Sequence, residues 1–132
     1  MALFGAITTA GSGLRVHRTW LDAVADNIAN VNTVRPAGQE AFRSRFVVAQ
    51  AVDYGSARGV RVAGTVFGNP EGRIRYEPGH PLADAQGLVR YPDIDLGDQM
   101  TQLLVAQRGY QANLAVVERA REAYQSALGL GK

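Results

Sequence analysis

The chain has 132 residues, 46% hydrophobic and 20% charged, with a formal net charge of +2: it folds, and it has room for one domain. Cysteine is absent, which excludes disulfides, thiolate zinc sites, iron–sulfur clusters and cysteine nucleophiles. Lys132 is the only lysine, and arginines scattered among twelve acids lack the clustered basic stripe usual in nucleic-acid binders.

The N-terminal segment is helical by its spacing. Leu3, Ile7, Ala10, Leu14, His17, Leu21, Val24, Ile28 and Val31 alternate in steps of four and three, a heptad seam with only His17 polar. Thr8, Thr9, Gly11 and Gly13 lower the local propensity, so frayed first turns and a firm helix from about Leu14 to Asn30 are expected. This segment has no Lys or Arg ahead of its apolar run, and Gly11-Ser12-Gly13 interrupts it, so no cleavable Sec signal is expected. No apolar run reaches the ~18 residues of a membrane helix.

The middle, 36–92, loses the helical period. Ala41–Val52, with Phe42 and Phe46 on one side, reads as a strand. Val60–Val62, Thr65–Phe67, Ile74–Tyr76 and Leu88–Tyr91 read as further short strands. Turn residues at 53–56, 68–72 and 77–81 separate them, which gives a small antiparallel β insert.

The C-terminal segment repeats the heptad. Leu96, Met100, Leu103, Gln107, Tyr110, Leu114, Val117, Arg121, Tyr124 and Leu128 keep the four-three spacing. Asp95 is a suitable N-cap, Asp98 suits the positive helix end, and Gly129 and Gly131 supply the stop. The expected fold is α+β: two long terminal α-helices pairing as a coiled-coil-like unit around a small antiparallel β insert. The segments are 1–35, 36–92 and 93–132, together one structural unit. A helix over 95–128 runs roughly 50 Å, whereas a globule of this size spans about 36 Å, so an elongated molecule is expected. Both helices carry more apolar and small-residue surface than one partner covers, which predicts contacts with neighbouring subunits.

Catalytic chemistry finds little support. His80 lies four residues before Asp84, but no third metal ligand is evident. Ser12, Ser44, Ser56 and Ser126 lie in no nucleophile-elbow pattern, and Gly68–Gly72 is not a phosphate loop. Arg73 and Arg75 alternate with Ile74 and Tyr76, and this pair is the basis of an alternative reading as a small arginine-rich nucleic-acid-binding module. Trp20 is expected to be buried against a neighbour. The residues otherwise describe a non-catalytic assembly protein with no cofactor.

Three stretches carry a resemblance. Ala10-Gly11-Ser12-Gly13-Leu14 with Leu21–Asn30, and Arg108-Gly109-Tyr110-Gln111-Ala112-Asn113 near the other end, resemble the terminal signatures of the flagellar rod and hook axial proteins. Tyr76–Val89 followed by Tyr91-Pro92 resembles the proximal-rod members of that family, although Asp93 and Trp20 depart from its usual residues. The resemblance implies export through the flagellar type III apparatus without a cleaved signal and assembly, in multiple copies, into a hollow torque-transmitting shaft. It also implies partners among FlgB-, FlgF- and FlgG-type rod proteins and a FliE-type adaptor, with no nucleic acid and no membrane span. The candidate assembly interface is then Leu14, His17, Leu21, Val24 and Ile28 on the first helix. On the second it is Met100, Leu103, Gln107, Tyr110, Leu114, Val117, Tyr124 and Leu128. Asn27, Asn30, Gln111 and Asn113 add side-chain amides, because polar seam groups set register and partner choice.

Overall fold

The computed structural model describes residues 2–131. In chain order it contains helix α1 (Ala2–Ala29), strands β1 (Arg35–Pro36), β2 (Arg45–Asp53), β3 (Arg58–Phe67), β4 (Arg73–Tyr76) and β5 (Leu88–Tyr91), and helix α2 (Leu96–Gly129). These elements form two compact units. One gathers the chain up to Leu21, Val47–Gly64 and the chain from Leu104; the other comprises Asp22–Phe46 and Thr65–Leu103. Each helix therefore contributes to both.

In the first unit the two helices meet through small residues. A Cβ at Gly13 would lie 2.7 Å from Asn113 Oδ1, and a Cβ at Gly109 would collide with the His17 ring. Ala10, Val16, Ala106 and Ala120 are buried in this unit, so its core is narrow and the helix backbones approach closely. This packing accounts for a difference from expectation: α1 is helical from Ala2, with no break at the glycines. Gly13 costs helix propensity, and the contact with Asn113 that only glycine permits offsets the loss. Ser12 is closed to solvent; its hydroxyl donates to Thr9 O at 2.7 Å and accepts from Val60 N at 3.0 Å, tying α1 to β3. Phe4 and Tyr124 stack edge to face with centroids 5.9 Å apart.

The tip of the β2–β3 hairpin belongs to the same unit. Tyr54 N donates to Ala57 O at 2.8 Å, and Gly55 takes a φ of 78° in the turn. The structure merges the two strands expected at 60–62 and 65–67 into the single strand β3, since the Ala63-Gly64 pair remains extended.

The second unit holds a three-stranded antiparallel sheet ordered β1-β5-β4. Arg35 pairs with Arg90, and Ile74 with Arg90 on the other side, so β5 is central. Val89 on β5 is fully buried, with Val24, Ala41, Pro92 and Ile94 also in the core. The two-residue strand β1 was not expected from its sequence, because Pro36 lacks the N–H that marks a strand interior; at a sheet edge that lack is tolerated. β2 begins at Arg45 rather than Ala41 because Ala41 N turns to Pro70 O at 2.8 Å. Phe42 therefore lies outside β2, and Phe46 is exposed. Gly72, at a φ of 58°, sits where a Cβ would collide with Tyr91 O.

Two arginines act as internal clamps of this unit. The Arg90 guanidinium donates to Ala37 O and Glu71 O, holding two loops against β5. Arg73 donates to Pro92 O and Ile94 O, fixing the approach to α2. That helix opens as expected: Asp95 Oδ1 accepts from Asp98 N at 2.9 Å, an N-cap bond.

Candidate assembly interface

The seam residues of α1 lie against protein. Val24 and Asn27 are each only 1% exposed, and Leu14, His17, Leu21, Ile28 and Asn30 are half-buried. Asn27 is fully engaged inside its own unit. Its amide nitrogen donates to Arg45 O and to Gln99 Oε1, both at 3.0 Å, and its oxygen accepts from Arg45 N at 2.8 Å. Three elements, α1, β2 and α2, are thereby held at one point. Asn27 thus makes its side-chain contacts with β2 and with Gln99 of α2. Asn30 bonds locally at the end of α1, donating to Asp26 O at 2.9 Å and accepting from Thr33 Oγ1 at 3.0 Å.

His17 Nδ1 lies 2.8 Å from Gly13 O, and since a carbonyl only accepts, this nitrogen carries the proton. The ring's other edge faces Gly109 across the helix pair. Asn113 Nδ2 donates back to Gly109 O at 2.8 Å, which presents the amide to Gly13. Gly13, His17, Gly109 and Asn113 thus form one interlocked contact.

The seam of α2 is rotated from its expected line. Leu103, Tyr110 and Val117 face inward, but Met100, Gln107, Leu114 and Leu128 are exposed and do not belong to the chain's own helix pair. The inward line runs Gln99, Leu103, Ala106, Tyr110, Asn113, Val117 and Ala120. Gln99, buried against Asn27, carried no periodic signal in the sequence because it is polar. Tyr124 is exposed apart from its contact with Phe4, and Gln111 is exposed.

At 100° per residue the exposed apolar residues of α2 fall on two flanks. Leu96, Met100, Leu104 and Leu114, with Gln107 and Gln111, lie about 100° from the inward line on one side. Val105, Ala112, Val116, Ala123 and Ala127 lie about 100° from it on the other. Leu104, Val105 and Val116 are 56%, 53% and 45% exposed, a load of open apolar surface that an isolated helix pair does not need.

The residues considered for other chemistry are occupied by the fold. His80 Nδ1 accepts from Leu82 N at 3.1 Å, and the Asp84 carboxylate accepts from Gln86 N and Leu88 N. No group of three or more potential metal ligands occurs among the described residues. Arg73 is a backbone clamp, and the Arg75 guanidinium lies 4.8 Å from the centre of the Tyr91 ring. Tyr91 donates to the Glu77 carboxylate at 3.1 Å, and desolvation together with this bond raises its pKa above the usual 10.0. Trp20 is half-buried beside His17, their ring centres 6.0 Å apart. Among the described residues no helix is long and apolar enough to cross a membrane.

Comparison with known proteins gives concordant matches at both ends of the chain. Residues 7–36 match the family described as flagella basal body rod protein, and residues 85–130 match the flagellar basal body rod FlgEFG protein C-terminal family. Over whole chains, the sequence is 34% identical across 134 residues to the flagellar basal-body rod protein FlgC of Escherichia coli O6:H1, with all of both chains covered. It is 32% identical to the FlgC of Borreliella burgdorferi, with 98% of each chain covered. To the FlgC of Agrobacterium fabrum it is 36% identical, over 98% of this chain and 96% of that one.

Proposed function

Because the chain belongs to the FlgC family of flagellar basal-body rod proteins, we propose that it builds the proximal rod, as one of several copies in a hollow shaft that carries torque. It is a structural subunit rather than an enzyme, it works outside the cytoplasm, and its partners are other axial proteins of the flagellum.

The observation that carries the reading is the pair of apolar flanks on α2. A helix already paired on its inward line, with open apolar surface on both remaining sides, suits a layer in which each copy lies between two others. The two flanks differ, one of large residues with glutamines and the other of alanines and valines, so contacts between copies are heterologous. Heterologous contacts repeat around a ring or a helical tube, and the many small contacts sum to resist shear.

The finer assignments rest on the family. Neighbours of the FlgB-, FlgF- and FlgG-type and a FliE-type adaptor fit the role, and so does passage through the flagellar type III export apparatus.

Deletion of the gene and electron microscopy of purified basal bodies tests the proposal. The expected result is loss of the rod and of swimming, both restored by the wild-type gene. Intact rods in the deletion strain overturn it.

A further inference from the structure

The two units of this chain differ in charge. Among the described residues, the unit containing Val47–Gly64 has seven arginines against three acids, and the unit containing Thr65–Leu103 has nine acids against six arginines. In copies of one chain, such a division disfavours contact between like units and favours contact between unlike ones.

Each unit shows a local feature that matches the other. On the cationic unit, Leu14, Arg15, Arg18, Thr19 and Tyr110 line an open cleft of about 390 Å³. Leu14 and Tyr110 provide an apolar floor, and Arg15 and Arg18, three residues apart on one face of α1, stand at its rim. On the acidic unit, the segment leading into α2 presents Leu96 together with the carboxylates of Asp93, Asp95 and Asp98, all four exposed; Asp93 also lies 3.9 Å from Arg73, and Asp95 caps α2. An apolar side chain flanked by carboxylates is the counterpart of an apolar floor flanked by two guanidiniums.

We propose that the Arg15–Arg18 cleft of one copy receives the Asp93–Asp98 segment of a second copy, with Leu96 on the apolar floor. The contact is head to tail and repeats from copy to copy, and it uses surfaces separate from the Val105–Ala127 flank. It rests on the rod reading above and specifies which surfaces of two copies meet. Leu14 and Tyr110 then serve two contacts at once, the helix pair within the chain and the floor beneath its neighbour. Salt weakens this contact, because both partners are exposed charges within reach of counterions.

Because the chain has no cysteine, disulfide trapping is free of background. Thr19→Cys and Gly97→Cys are placed in two separate copies of the full-length chain, expressed together in the deletion strain, and rods are isolated under mild oxidation. A disulfide requires the two Cα atoms to come within about 7 Å, so it reports this docking and not mere proximity in the rod. The expected result is a product of twice the chain mass that forms only when both variants are present. Arg15→Glu in the Thr19→Cys copy is expected to lower its yield at least about fivefold, and Asp93→Arg in the Gly97→Cys copy to restore it to within about twofold. Rods that assemble without this product overturn the proposal. So does a link only to a chain of different mass, or a yield that ignores the charge reversal. Should the cysteine variants fail to assemble, self-association of the purified wild-type chain is measured between 50 and 500 mM salt; a loss of about tenfold or more supports the contact, and no change overturns it. Failure of the rod reading is distinct: the deletion strain itself would then keep its rods.

Discussion

Asn27 and Gln99, seventy-two positions apart, share a hydrogen bond of 3.0 Å in a site closed to solvent. The same Asn27 side chain holds both the N–H and the C=O of Arg45, so one amide joins α1, α2 and the start of β2. Buried polar groups of this kind cost more to break than they contribute when made. Asn27→Ala leaves the Arg45 backbone pair and the Gln99 oxygen unsatisfied. A loss of roughly 3 kcal/mol is expected, read as a lowered urea midpoint with an unchanged slope. A loss below about 0.5 kcal/mol would mean that water replaces the amide.

The contact of Gly109 with His17 predicts an unusual sign for a glycine in a helix. Gly109→Ala gains about 1 kcal/mol of helix propensity, but its methyl group enters the imidazole, so the net effect is expected to be destabilising. Joined to His17→Ala the same substitution becomes neutral or stabilising. A double-mutant cycle by thermal denaturation measures the coupling, and additive effects would exclude the contact.

Two glycines of positive φ separate strain from space. Gly55, at 78°, faces open solvent, so Gly55→Ala is expected to cost only about 1 kcal/mol of backbone strain. Gly72, at 58°, faces Tyr91 O and the Ala41 methyl, and Gly72→Ala should cost at least about 2 kcal/mol more. Equal losses in parallel urea titrations would remove the steric part of the argument.

The exposed flank of α2 allows assembly to be separated from folding. Leu114→Asp changes an exposed position, and the helical circular dichroism and melting of the purified chain should move little, within about 0.5 kcal/mol. Rod formation and swimming should nevertheless be lost. Val117→Asp, one turn away on the inward line, should instead weaken the fold itself. A motile strain carrying Leu114→Asp would show that this flank stays uncovered in the rod.

Tyr91 gives a pH prediction. Its folded pKa lies above the usual 10.0, first through desolvation and then through the bond to Glu77, while Arg75 pulls the other way. A raised folded value favours the protonated phenol, so the associated stability is complete below pH 10.0 and is lost as pH rises through the folded value. Ultraviolet titration should show a tyrosine ionising above pH 10.0 that is lost in Tyr91→Phe, and Glu77→Gln should lower its midpoint.

The limits of α2 were legible because capping chemistry is local. Asp95 bonds Asp98 N as its position implied, and α2 ends at Gly129. Which face of α2 turns inward was not legible, because periodicity weights large apolar residues and this helix carries them on its flanks. Its inward line mixes Leu103, Tyr110 and Val117 with Gln99, Ala106, Asn113 and Ala120, small or polar residues that suit the close approach of α1 and carry no periodic apolar signal. Asn27 stood out in the sequence as a polar group beside the α1 seam, but its partner Gln99 lies in another element, and a single sequence has no signal that links the two. The continuity of α1 through Gly11 and Gly13 was hidden for the same reason: the compensating Asn113 comes from a hundred residues later.

The unlike flanks of α2 also bear on how growth stops. Where every junction joins a flank of large side chains to one of small ones, the row of copies has a direction, and its two ends are chemically distinct. Unless the row closes on itself, the last copy leaves an apolar edge in water. A different chain that presents one matching flank and one polar flank would terminate the row, and its sequence would fix the length of this segment.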